Sequence, residues 1–124
     1  MQTGYAAQTE YAIQAAVMDW ARDPEHIKKY PELPMLFHVP NGGQRSKITG
    51  ARLKRIGVKA GIPDLHLPVA RNGYTGLWIE LKKPGGTTSK QQKDVMAKLR
   101  FYGHLTVVCW SADGAIKTIT GYLS

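Results

Sequence analysis

The sequence predicts an α/β fold. Apolar residues recur at helical spacing over residues 9–21 and again over 89–102. Short strand-like runs at 35–39, 61–69, 75–82 and 105–110 are interspersed with those helical segments. The middle two runs are joined by Arg71-Asn72-Gly73-Tyr74, and Asn-Gly is the strongest short hairpin signal. With 124 residues, 43% of them apolar and 21% charged, residues 1–124 are expected to form one domain with a real core.

Taken in order, Ile13, Val17 and Trp20 give the first helix a core-facing stripe, and Thr9 is its N-cap. Glu10 falls in the first turn, where the helix dipole favours an acid; Gln14 shares its face one turn on. Asp23-Pro24-Glu25 opens a short helix that Pro31 stops. Residues 35–39 form a first strand, and Pro40-Asn41-Gly42-Gly43 a loop. Residues 46–56 form a helix capped by Gly57, with Arg45, Lys47, Arg52, Lys54, Arg55 and Lys59 within or beside it. Such a run is either a solvated face or a phosphate-contacting one; its place just ahead of Asp64 favours the second.

The hairpin makes the third strand, 75–82, antiparallel to the second, 61–69. Ser89-x-x-Gln92 matches a capping box; Val95, Leu99 and Tyr102 give the helix that follows a buried face, and Gly103 ends it. Residues 105–110 are apolar enough for a central strand. Asp113 is expected to cap a last helix that turns Ala115, Ile116 and Ile119 inward.

Lys and Arg number 17 against 9 Asp and Glu, a net charge of +8 that favours a polyanionic partner. The single cysteine, Cys109, excludes an intrachain disulfide and fits a reducing compartment. No signal peptide or membrane-length apolar run is evident, so a cytoplasmic location is expected. His26, His38, His66 and His104 are scattered and give no zinc spacing. Glycine-rich phosphate loops and a serine elbow are missing from the sequence.

The chemistry concentrates in Trp78-Ile79-Glu80-Leu81-Lys82. Strand alternation turns Leu77, Ile79 and Leu81 to a core and Trp78, Glu80 and Lys82 to the other face. Asp64, set among apolar residues, can meet Glu80 across the antiparallel pair. Two carboxylates and a lysine so placed are suited to metal-assisted phosphodiester hydrolysis. Alternation puts His66 on the face of Asp64, where it either touches substrate or packs at a sheet edge.

Glu10 with Gln14, Asn41, Gly61-Ile62-Pro63-Asp64-Leu65, Ile79-Glu80-Leu81-Lys82, Ser89-x-x-Gln92 and Gly103 occur in that order. The set resembles the virus-type replication–repair nuclease (VRR-NUC) domain of the PD-(D/E)xK superfamily, over residues 10–119. Residues 23–34 depart from it as a modest insertion. The resemblance implies an α/β sandwich with a mixed sheet of about four strands flanked by helices in αβββαβ order. It further implies that Asp64 and Glu80 bind Mg²⁺ or Mn²⁺ with the backbone carbonyl of Leu81, and that Glu10 projects toward the same site. Lys82 orients or deprotonates the attacking water, and Gln92 is an auxiliary polar group. Small members occur in phages and bacteria and cut four-way (Holliday) junctions as homodimers. The expectation is therefore an Mg²⁺- or Mn²⁺-dependent DNA endonuclease acting on branched DNA. The alternatives are a monomeric flap or nicking nuclease and a non-cleaving nucleic-acid binder. Trp20, Tyr30, Leu33, Met35, Phe101 and Trp110 are the apolar residues to spare for a dimer interface.

Overall fold

The computed structural model describes residues 9–40 and 47–124. Helix α1 (Glu10–Arg22) starts at Thr9, whose hydroxyl accepts the Ala12 N–H at 3.0 Å. Its buried stripe is Ile13, Val17 and Ala21, while Trp20 is half-buried and stacks on His26. The Asp23 carboxylate caps α2 (Pro24–Lys29) through the Glu25 N–H at 2.9 Å. A 3₁₀ turn over Leu33–Met35 then takes up part of the expected first strand, and β1 is only Phe37–His38. Pro34 sits inside that turn and has no N–H to give to a ladder. Helix α3 (Lys47–Arg55) closes at Gly57, φ +104°, with the Val58 N–H returning to the Leu53 carbonyl at 2.9 Å.

Strand β2 (Leu65–Leu67) is shorter than the sequence pattern because Pro63 and Pro68 bracket it and neither can donate. Asn72 (φ 51°) and Gly73 (φ 84°) form the tight turn leading to β3 (Leu77–Leu81). The register pairs Leu65 with Ile79, His66 with Trp78 and Leu67 with Leu77. Helix α4 (Lys90–Phe101) carries the full capping box and crosses over to β4 (Leu105–Cys109), which runs parallel to β3. Helix α5 (Ala112–Leu123) ends the chain.

The sheet order is β1-β2-β3-β4, so β4 is an edge and not the central strand its composition suggests. Its apolar residues are used because the chain packs helices on both faces there, α4 on one and α5 on the other. Since α4 lies over an edge strand, only a narrow line of it is covered. Met96 is its buried residue, Val95 and Leu99 are half-buried, and Tyr102, expected inward, is exposed beyond the last turn with Phe101. The last helix is capped by Ser111, which accepts the Gly114 N–H at 3.0 Å; Asp113 instead lies in its first turn.

Leu65, Leu67, Leu77, Ile79 and Leu81 make one face of the sheet and pack against Ile13, Val17 and Ala21 of α1 and Ala115, Ile119 and Tyr122 of α5. The opposite face carries the side chains of interest. Among the described residues, no helix is long and apolar enough to cross a membrane.

Gly61 fixes the approach to β2. It sits at φ +87°, and a Cβ there would lie 3.0 Å from the Gln91 main-chain oxygen in the first turn of α4. Gly61→Ala should therefore cost about 2 kcal/mol, combining left-handed strain with a backbone clash. Gly57→Ala, with φ +104° but open space, should cost about half as much. Urea midpoints of the two variants check the difference; equal losses would remove the α4 contact from the account.

Candidate active site

Continuing the β2–β3 register one step sets Asp64 opposite Glu80. Two backbone features hold Asp64 in place. Its carbonyl accepts the Val39 N–H at 2.9 Å, and its carboxylate accepts the Leu81 N–H at 2.7 Å. The second bond is possible because Leu81, at the end of β3, has run past β2 and has no strand partner of its own on that side.

Glu80 is 3% exposed, the one buried charged residue among those described. It is the expected outward-facing member of β3, but α4 closes over it. The Gln92 amide donates to Glu80 Oε2 at 3.1 Å, while its own carbonyl oxygen accepts the Ser89 N–H at 2.9 Å. The capping box thus fixes the orientation of the amide that meets the acid. Lys82 Nζ lies 3.5 Å from the same Glu80 oxygen and is largely buried.

Asp64 and Glu80 face one another across β2 and β3, close enough for each to shift the other's proton affinity. Burial, and next the charge of Asp64, push Glu80 up to about 8, against the opposing pull of Lys82. Burial also raises Asp64, and the Leu81 N–H pulls it back. Burial thus favours the protonated form of both acids, and Lys82 offsets this only in part. A hard divalent ion taking oxygen donors suits this donor set.

Glu10 reaches the rim. Its carboxylate accepts the Lys83 N–H at 3.3 Å, and its charge adds to the rise in Asp64. Among the described residues, no three His, Cys, Asp or Glu side chains are close enough to enclose an ion. The acids that the structure brings together are Asp64 and Glu80, with Glu10 outside the pair. Gln14 lies on the same side of α1, beside His38.

His38 was not singled out by sequence. Its Nδ1–H donates to the Asp64 carbonyl at 2.8 Å, and its charge lowers Asp64. Only the β1–β2 pairing, which no sequence signal gives, could have found it. His66 stacks on Trp78, and burial lowers its pKa. Lys47, Arg52, Lys54 and Arg55 are exposed along α3. Asn41 and Arg45 lie outside the described residues. A groove of 640 Å³ runs between α3 and α4, lined by Leu53, Lys54, Lys59 and Gln91, and does not contain the carboxylate pair.

Raising the pKa of a buried acid costs stability once it must ionise. Glu80 binds its proton more tightly folded than unfolded, so without divalent ions stability should be highest below its ordinary 4.5 and fall as pH rises toward about 8. In EDTA, the Tm of the wild type should drop on the order of 10 °C between about pH 5 and about pH 8. Glu80→Gln should flatten most of that drop. An unchanged slope in the variant would mean that Glu80 ionises freely.

The family model of the VRR-NUC domain matches residues 8–113. A solved structure described as a VRR_NUC domain protein is 35% identical, with a TM-score of 0.78, over 93% of this chain and 88% of its own. No curated protein sequence matches. With the mixed four-stranded sheet, the acid pair and the lysine in place, the chain belongs to the VRR-NUC family of nuclease-type domains.

Proposed function

We propose that this domain is a Mg²⁺- or Mn²⁺-dependent DNA endonuclease that hydrolyses phosphodiester bonds in branched DNA such as four-way junctions. The observation that carries the reading is the Asp64–Glu80 pair, two carboxylates set opposite one another across β2 and β3 with Lys82 beside them. A divalent ion held there, with the Leu81 carbonyl as a third oxygen donor, would acidify water and polarise the scissile phosphate. The Leu81 carbonyl is suitably directed, because an extended residue turns its C=O to the same side as its N–H, and that N–H meets Asp64.

The remaining roles belong to the chain's own groups. Lys82 stands next to Glu80 and offsets charge developing on the phosphate, while holding a water for in-line attack. Gln92 keeps Glu80 in one rotamer. Glu10 ties the first turn of α1 to the Lys83 backbone and so closes one side of the site. The basic face of α3, Lys47, Arg52, Lys54 and Arg55, together with Arg45 and Asn41 ahead of it, tracks the phosphate backbone.

A non-cleaving binder would gain nothing from pressing two acids together against a polyanion, and that argues for hydrolysis. A two-fold dimer supplies the two cuts that a junction requires. Of the apolar residues considered for its interface, Leu33 is in the core, while Met35, Phe101 and Trp110 are exposed and available.

Labelled duplex, flap, single-strand and four-way-junction DNAs, incubated with Mg²⁺, Mn²⁺ or EDTA, provide the test. Asp64→Ala and Glu80→Ala should abolish cleavage and leave binding intact. Lys82→Ala should slow cleavage on the order of 10²-fold, the scale of one lost electrostatic contact. Full cleavage by Glu80→Ala in Mg²⁺ would retire the site.

A further inference from the structure

The sheet face that carries Asp64 and Glu80 also carries a row of rings. His66 and Trp78, cross-strand partners on β2 and β3, stack with centroids 3.7 Å apart and planes 13° from parallel. Phe37, the partner of His66 on β1, meets that stack edge-on, at 5.6 Å and 78°. His104 closes the other end, 6.1 Å from Trp78 at 73°.

The row is held rigidly. His66 Nδ1–H donates to the Leu77 carbonyl at 3.0 Å, and Trp78 Nε1–H donates to His104 Nδ1 at 3.2 Å. Gly76 leaves the room for it, since a Cβ there would lie 3.0 Å from the His66 ring. The faces of His66 and Trp78 are used on each other. Phe37 is different: it stands on the edge strand and is 46% exposed, so part of its ring is open to a ligand.

Asp64 and His66 are two residues apart on one face, as are Trp78 and Glu80. The row therefore begins about 7 Å from the acid pair, one pleat along the sheet. Helices α1 and α5 pack on the opposite face and α4 packs on β4; Phe37, at the sheet edge, also borders a groove lined by Ala15, Met18 and Arg22 of α1. Lys82 lies on the same face, paired with Glu80, and the chain as a whole carries +8.

We infer that Phe37, braced by the His66–Trp78 stack, is a stacking platform for an unpaired base of the substrate next to the cleaved phosphate. The inference rests on the nuclease reading above and narrows it. A paired base offers no free face, whereas a base at a branch point or in a single strand does. Every base has a π face, so such a platform selects structure and not sequence. A phenyl ring beside the proposed cleavage site, on a chain of net charge +8, supplies the two components of single-strand recognition, stacking and charge. His66 and Trp78 are positioning residues here, since they act through Phe37.

The test uses two DNA probes in EDTA, where nothing is cut: a fully paired duplex, and the same duplex with a single-stranded flap carrying 2-aminopurine at the first unpaired position. Wild-type protein should quench the 2-aminopurine on binding. Phe37→Ala should weaken binding to the flap probe about tenfold, and to the paired duplex less than about twofold, on the scale of one lost stack. Phe37→Trp should retain quenching and affinity. Phe37→Leu, apolar but without a π face, should lose both, which separates stacking from simple edge protection.

Equal effects of Phe37→Ala on both probes, or retained quenching in Phe37→Leu, would overturn the platform. That outcome leaves the nuclease reading untouched, because Asp64→Ala and Glu80→Ala report on cleavage separately. Conversely, cleavage that survives Glu80→Ala would sink the acid site while leaving a positive flap-probe result in place.

Discussion

Everything around the site follows from forcing two carboxylates into contact. Left in water, Asp64 and Glu80 would ionise and separate. In the fold, the β2–β3 register sets them opposite one another and α4 closes over Glu80, so burial raises the proton affinity of both. The chain offers only partial compensation from its own groups. The Leu81 N–H serves Asp64; the Gln92 amide and the Lys82 ammonium serve Glu80. A cation bound there, as proposed above, would complete the charge balance and give the buried pair a chemical rationale that packing alone does not.

The backbone around this pair serves two purposes at once. β3 is an apolar strand on its core side, with Leu77, Ile79 and Leu81 anchoring the sheet to α1 and α5. Its other face and its overhanging end carry the chemistry. The capping box of α4 starts a helix and, through the same Gln92 side chain, steadies an acid. Gly61 lets the Asp64 segment approach α4 closely enough for these groups to converge. Stability and site geometry are thus coupled, and damage to either contact is expected to register in both.

Local signals carried much of this in the sequence. The Asn72-Gly73 turn, the alternation through β3, and the Ser89–Gln92 box each have short-range causes and appear where expected. The failures were non-local. The apolar pattern of β4 does not reveal that the strand lies at an edge, because the covering comes from helices on both faces and not from strands. Tyr102 reads as core by spacing, yet α4 has ended before it can turn inward. His38 and Phe37 gave no signal because their neighbours come from β2, 26 and more residues away along the chain. Ser111 outcompeted Asp113 as the last N-cap, a shift of two residues that composition alone cannot resolve.

The most direct test of the central claim is calorimetric titration of the DNA-free protein with Mn²⁺ near neutral pH, repeated in buffers of different ionisation enthalpy. If Asp64 and Glu80 share a proton that a divalent ion displaces, one ion should bind per chain. Binding should release a substantial fraction of one proton, and Asp64→Ala should abolish both. Tight Mn²⁺ binding with no proton release, or binding that survives Asp64→Ala, would contradict the account.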